Sequence, residues 1–193
     1  GMSGIIHKLS PDIVAAGFDL GGNLAAAIAA AHLNVHVAHI EGGGVSGSID
    51  ETLRHAATKF AHIHFPASDA GRRRIIKLGE NPKYVFKVGS LSLDTIKKIN
   101  YWPREAMFKK FNLDPAKKLI LFLQHPVTTE EKFAVRQISE SIAALKLAVK
   151  NSGSQILAIF GNSDAGGKRM INKLRKSGIR AVSHIPYEDF LRL

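Results

Sequence analysis

The sequence predicts an α/β protein made of two incomplete units, each built on a parallel sheet. Short β-rich apolar runs alternate with helical patterns along almost the whole chain. That rhythm breaks only once, near the middle. Each half offers three or four strands, fewer than a complete open parallel-sheet domain has. With 193 residues and 45% hydrophobic content, the chain is long enough for one large or two small cores.

The first strand is read over residues 13–18, an apolar run rich in small side chains, and the Ala-rich stretch 22–33 is the helix after it. A strand over 35–40 follows, then a helix over 49–60 with Ser48 as its cap, a strand over 62–66 and a helix over 69–78 behind Ser68. A fourth strand is expected over 85–88. From about Ser90 to Lys118 a basic helical stretch containing Tyr101-Trp102-Pro103 and Asp114-Pro115 interrupts the rhythm. Strands resume over 119–123, 155–160 and 179–182, separated by helices over 129–150 and 166–176, and a new helix opens near Pro186. Gly1, ahead of Met2, is set aside as an expression remnant. The expected organisation is a first unit over 2–97, a connector over 98–116 and a second unit over 117–193.

Composition excludes several classes. Without Cys there are no disulfides, thiolate metal sites or Cys nucleophiles. The most apolar stretch, residues 24–33, falls far short of the roughly 20 residues of a membrane span, and no basic segment followed by an apolar run opens the chain. A protein of the cytoplasm, without membrane attachment, is expected. The formal net charge is +11 but unevenly placed. Up to Leu53, Lys8 faces Asp12, Asp19, Glu41, Asp50 and Glu51, a balance of −4, while 26 basic against 11 acidic residues give the remainder +15. The basic runs, such as Arg72-Arg73-Arg74 and Lys117-Lys118, are dispersed, and no aromatic residues interleave with them as base stacking requires. They read as solvated helix faces, and no nucleic-acid partner is expected.

In parallel sheets, ligands gather at the carboxyl ends of strands. There the acids accumulate: Asp19 after the first strand, Glu41 after the second, and Asp50 at the opening of the next helix. Carboxylates crowded at one edge can transfer protons; equally, Asp50 can serve the helix terminus, Asp19 brace a turn and Glu41 stand exposed. Gly42, Gly43, Gly44 and Gly47 form a loop whose backbone can approach a ligand closely, yet neither a complete Gly-x-Gly-x-x-Gly nor a P-loop ending is present. In the second half, His125 follows a strand in Gln124-His125-Pro126-Val127-Thr128-Thr129-Glu130, where it can donate to a phosphate oxygen or bond locally within its loop. The loop Gly161-Asn162-Ser163-Asp164-Ala165-Gly166-Gly167 precedes a helix and can be a ligand loop or an N-cap. His36, His39, His55, His62 and His64 lack metal-ligand spacing and read as packing or surface residues, so no metal is expected. No Gly-x-Ser-x-Gly elbow marks a Ser nucleophile.

Taken in order, His39-Ile40-Glu41-Gly42-Gly43, Ser46-Gly47-Ser48-Ile49-Asp50-Glu51, Leu53-Arg54-His55, Thr58-Lys59 and His62-Ile63-His64-Phe65 form a string that resembles the UDP-N-acetylglucosamine 2-epimerases, the hydrolysing branch above all. Val85-Phe86-Lys87-Val88-Gly89-Ser90, His125-Pro126-Val127-Thr128-Thr129-Glu130, Asn162-Ser163-Asp164-Ala165-Gly166-Gly167 and His184-Ile185-Pro186-Tyr187 continue the match, which spans essentially the whole chain. The resemblance implies two Rossmann-like domains of the GT-B type, with a UDP-sugar bound in the cleft between them. It implies elimination of UDP across C1 and C2 to a 2-acetamidoglucal, then hydration to N-acetylmannosamine, without cofactor or metal. By the matching motifs, Asp19, Glu41 and Asp50 are the acid/base carboxylates and His125 contacts the departing phosphate. Arg54 matches a motif arginine in the substrate site, Asn162 a UDP contact and Ile185 a backbone contact to uracil.

Departures from the family pattern matter as well. The family has Gly-Asp-Arg where this chain has Phe18-Asp19-Leu20, which removes a charge-assisted phosphate contact. Relatives begin with a further strand and an arginine-bearing loop, and continue into a Gly-Asn-Ser-Ser loop beyond Tyr187. The expectation is therefore a shortened member, most simply a homodimer, either active or a catalytically silent α/β remnant that binds nucleotide or a protein partner.

Overall fold

The computed structural model describes residues 1–99 and 101–193. Asn100, within the expected connector, lies outside the described residues. The chain divides into two compact units, Gly1–Lys97 and Lys98–Leu193.

In the first unit, β1 (Ile13–Gly17), β2 (His36–Ile40) and β3 (Ile63–Phe65) form a parallel sheet in that order. Gly17 stands opposite Ile40, and His39 opposite His64. The helix α2 (Gly21–His32) packs on β1 and β2, and its alanines decide how closely: Ala27 and Ala30 are fully buried beside Ala16 and Val37. Small side chains on both surfaces let helix and sheet approach without voids. An eight-residue helix that sequence periodicity does not announce, α1 (Met2–Leu9), covers α2 by burying Ile6 in the same cluster. Contact with α2 supplies what so short a helix lacks by itself.

Both expected serine caps are in place. Ser48 Oγ accepts from the backbone N–H of Asp50 at the start of α3 (Ile49–Phe60), and Ser68 Oγ accepts from that of Gly71 in α4 (Asp69–Lys77). The expected strand over 85–88 does not form. Its start makes one bridge, Val85 to His64, with Phe86 N–H donating to the His64 carbonyl at 2.8 Å. Val88 N–H goes on to donate to the Pro66 carbonyl at 3.2 Å, but Pro66 has no N–H to give back to Phe86, so the pairing does not grow into a strand.

The second unit repeats the plan. The strands β4 (Leu119–Leu123), β5 (Gln155–Ile159) and β6 (Ala181–Val182) lie parallel in that order. On β5, Ala158 faces one cluster with Ala134, Ile138, Ile142, Met170 and Leu174, while Leu157 and Ile159 face another with Phe108, Leu113 and Ile185. This is the two-residue period of a strand buried on both faces. The remaining helices are α5 (Leu91–Lys98), across the boundary between units, α6 (Arg104–Lys110), α7 (Ala134–Ser152), α8 (Gly167–Arg175) and α9 (Tyr187–Arg192). The helix expected from residue 129 begins at Ala134, because Thr128–Phe133 is a tighter 3₁₀ segment broken by non-helical Glu130. From there Ala134, Ile138 and Ile142 recur every fourth residue and fill the core side. Among the described residues no helix is long and apolar enough to cross a membrane.

Ile138 is 2% exposed at the centre of this packing. Ile138→Ala is expected to lower stability in urea denaturation by about 2–5 kcal/mol, the cost of deleting a buried aliphatic chain.

Candidate active site

At the carboxyl edge of the first sheet, two neighbouring strands leave in the same unusual way. Phe18 follows Gly17 with φ 64°, and Glu41 follows Ile40 with φ 58°. Because Gly17 and Ile40 are paired, the two left-handed residues stand at the same level. Neither is glycine, so each conformation costs energy and must be held by its surroundings. Phe18 N–H donates to the Ile40 carbonyl at 3.1 Å, and Glu41 N–H donates to the Phe65 carbonyl at 2.9 Å.

These turns present Asp19 and Glu41 to one cleft of about 290 Å³, lined also by Phe18, Gly44, Arg54 and Ser68. The Arg54 guanidinium, from α3, pairs with the Asp19 carboxylate, and both side chains are largely shielded from water. Glu41 Oε1 accepts from Ser90 Oγ at 2.6 Å and from Leu91 N–H at 3.2 Å, at the start of α5. The cleft thus holds one carboxylate neutralised by a cation and another held by neutral donors. Asp50 is not among its lining residues; it sits exposed at the start of α3, accepting from Ser48 Oγ at 3.1 Å.

Sequence reasoning missed several supports. Glu51 Oε2 accepts from Gly47 N–H at 2.9 Å and Ser46 N–H at 3.0 Å, and these bonds hold its carboxyl below the usual range. Its signal was the Ser-x-x-Glu spacing from Ser48, a capping-box pattern. Gly43 of the loop serves protein packing: a Cβ there, where φ is 78°, would lie 2.4 Å from the Gly71 carbonyl oxygen in α4. The Arg74 guanidinium donates to the Gly43 carbonyl and ties the same loop down.

Beneath the cleft lie two buried histidines on paired positions, His39 and His64. Burial pushes His39 down to about 4, with the Phe18 carbonyl opposing and the nearby His64, Arg54 and His55 adding to the shift. Burial also lowers His64, against the pull of Glu80, whose Oε2 is 3.4 Å from Nε2. Glu80 pairs in turn with Lys59.

In the second unit the structure brings His125 and Asn162 together. Asn162 N–H donates to His125 Nδ1 at 3.1 Å, so in the neutral ring the proton resides on Nε2. That N–H is a donor on an exposed side chain at the carboxyl edge of β4. Asn162 Nδ2 donates to Asp164 Oδ2 at 2.5 Å. Gly161 brings the two loops into contact, since a Cβ there would lie 2.5 Å from the Gln124 carbonyl oxygen, while Gly167 lets the second loop close on the start of α8, where a Cβ would lie 2.3 Å from the Asn162 carbonyl oxygen. Ile185 stands apart from this pair, its side chain 5% exposed within the core of the unit. Among the described residues no group of three or more His, Cys, Asp or Glu is placed to hold a metal ion.

A family model described as UDP-N-acetylglucosamine 2-epimerase matches residues 1–193. The chain belongs to that family. It is 34% identical to the UDP-N,N'-diacetylbacillosamine 2-epimerase (hydrolyzing) of Legionella pneumophila, over 99% of this chain and 51% of that protein. It is 31% identical to the UDP-N-acetylglucosamine 2-epimerase of Neisseria meningitidis, over 100% of this chain and 50% of that one. The chain therefore spans about half the length of the curated relatives it matches. Among solved structures, the UDP-GlcNAc 2-epimerase from Neisseria meningitidis bound to UDP-GlcNAc superposes with a TM-score of 0.78, at 19% identity over 98% of this chain and 54% of that one. The S. aureus MnaA-UDP co-structure gives the same TM-score, over 98% of this chain and 51% of that one, at 18% identity. The fold class is α/β of the GT-B type, in two Rossmann-like units with parallel sheets.

Two outcomes follow for this epimerase-family chain. Gly43→Ala adds an overpacked contact to a strained left-handed residue, and should cost about 2–5 kcal/mol in urea denaturation. His39 has its folded value, about 4, below its ordinary 6.5, so the unfolded chain takes up the proton first as pH falls. Its contribution is complete above pH 6.5, is lost progressively towards pH 4 and changes no further below that; denaturation across this window should show a loss of up to about 3 kcal/mol.

Proposed function

We propose that this chain carries the chemistry of a hydrolysing UDP-sugar 2-epimerase. A base removes the C2 proton of a UDP-linked 2-acetamido sugar, the C1–O bond breaks to release UDP, and water adds to the resulting glycal. With UDP-N-acetylglucosamine the products are UDP and N-acetylmannosamine. The observation that carries the reading is the cleft in which Glu41, held by neutral donors, stands with the Asp19–Arg54 pair, in a chain of this family.

Glu41 is assigned the proton transfer at C2, since among the described residues its carboxylate pairs with neutral donors and no cation. The Asp19–Arg54 pair orients the sugar, and Asp50, at the start of α3, is the third acid/base group of the motif set. The departing diphosphate meets the Nε2–H of His125, with Asn162 beside it and the backbone of Ile185 at the base. In this reading residues 2–97 supply the acid/base groups, 117–193 hold the nucleotide and 98–116 connect them. The hydrolysing Legionella relative at 34% identity makes a diacetamido sugar the substrate to test beside UDP-N-acetylglucosamine. A homodimer belongs to the same reading, supported by the place of β1 at the edge of its sheet, with Ile13 at its start and Leu9 ahead of it both exposed.

One observation favours a second reading. Leu20, 62% exposed beside Asp19, offers no charge to a phosphate, which suits a nucleotide-binding remnant without turnover. UDP release from both sugars, measured together with UDP titration, separates the two. Release that falls roughly 10²–10⁴-fold in Glu41→Gln, with the variant still folded, supports the enzyme. UDP binding without release by the unaltered chain overturns it in favour of the remnant.

A further inference from the structure

The cleft residues Asp19, Glu41 and Arg54 come from three separate segments, and one buried side chain lies against all three. His39 is fully buried, two residues before Glu41 on β2. A Cβ on Gly42 would lie 2.7 Å from its Nδ1, so the ring fills the space directly under the loop that follows Glu41. The Phe18 carbonyl, one residue before Asp19, is close enough to act on its protonation. On the remaining side, His39 Nδ1 and Thr58 Oγ1 are 3.0 Å apart. Thr58, also fully buried, donates its hydroxyl proton to the Arg54 carbonyl at 3.1 Å. With that proton committed, the Thr58 oxygen is the acceptor and the His39 ring donates from Nδ1.

We propose that His39 is a positioning residue for the Asp19–Arg54 pair: through its Nδ1–H bond to Thr58 it fixes the turn of α3 that delivers the Arg54 guanidinium to Asp19. This rests on the proposed function of the cleft. The ring's other nitrogen, Nε2, is buried without a hydrogen-bond partner among the described residues. A leucine would fill the same space without that penalty, so packing alone does not explain an imidazole here. What the imidazole adds is one directed donor, aimed at a hydroxyl one helical turn beyond Arg54. His39 touches neither the cleft surface nor, in the proposed reaction, the sugar, so its effect reaches the chemistry only through Arg54.

The test compares Thr58→Val, Thr58→Ser, His39→Leu and His39→Asn with the unaltered chain. The first readout needs no substrate: exchange of the Arg54 guanidinium protons with water, followed by nuclear magnetic resonance. The second is kcat against KM for UDP release. Thr58→Val keeps the side-chain shape but removes the acceptor, so Arg54 exchange is expected to rise roughly tenfold and kcat to fall at least tenfold, with KM little changed. His39→Leu should do the same. Thr58→Ser restores the hydroxyl, and His39→Asn restores a donor near the Nδ1 position, so both should recover most of the loss. Because Thr58→Val also removes the Thr58 bond to the Arg54 carbonyl, the role of His39 is decided, should His39→Leu fail to fold, by His39→Gln, whose amide reaches the Nε2 position instead of Nδ1: Arg54 exchange raised in His39→Gln but not in His39→Asn is expected, and equal exchange in the two overturns the proposal. Unchanged Arg54 exchange in Thr58→Val, or no recovery in Thr58→Ser, overturns the proposal. Absence of UDP release by the unaltered chain would count against the proposed function, while the exchange comparison would still decide the role of His39.

Discussion

The parallel register of β1 on β2 is the constraint from which the candidate site is built. Gly17 opposite Ile40 sets the next residue of each strand at one height, and both turn left-handed there. A slip of one position would reverse every side chain on β1 and part Asp19 from Glu41. The register is itself secured by packing, because alanines on α2 and β1 admit the helix only at close range. Small residues in the core and acidic residues at the edge are thus two ends of one arrangement.

Two histidines, one in each unit, show how placement selects chemistry. His39 lies inside a strand, buried, and is held neutral. His125 lies two residues past a strand end, exposed, with its Nδ1 occupied by a backbone donor. Each ring has one nitrogen committed, but with opposite sense: His39 donates inward from Nδ1 and His125 presents Nε2–H outward. The first suits holding protein parts together, the second meeting an anion.

Much of the fold was legible because its signals are local. Ser48 and Ser68 mark their helices, Ala-rich periodicity marks α2, and β-rich runs mark β1, β2, β4 and β5. The misses are elements that depend on distant partners. The helix α1 exists through contact of Ile6 with α2; the segment 85–88 stays irregular because Pro66 has no N–H to complete the next bridge. At the site, the motifs pointed to Asp19, Glu41, Asp50, Arg54, His125, Asn162 and Ile185, yet no spacing reveals that Arg54 pairs with a carboxylate 35 positions earlier or that Glu41 accepts from Ser90, 49 positions later. Sequence pattern names the groups; tertiary contact assigns their partners.

The hydrogen atoms of Gly161 and Gly167 have a mechanical meaning. With the Gln124 carbonyl oxygen pressed against Gly161, the loops after β4 and β5 meet without slack, and the Asn162 carbonyl oxygen pressed against Gly167 closes the second loop onto the start of α8. The bond from Asn162 N–H to His125 Nδ1 crosses between the same two loops. Any side chain larger than hydrogen at Gly161 would push the two loops apart and separate His125 from Asn162.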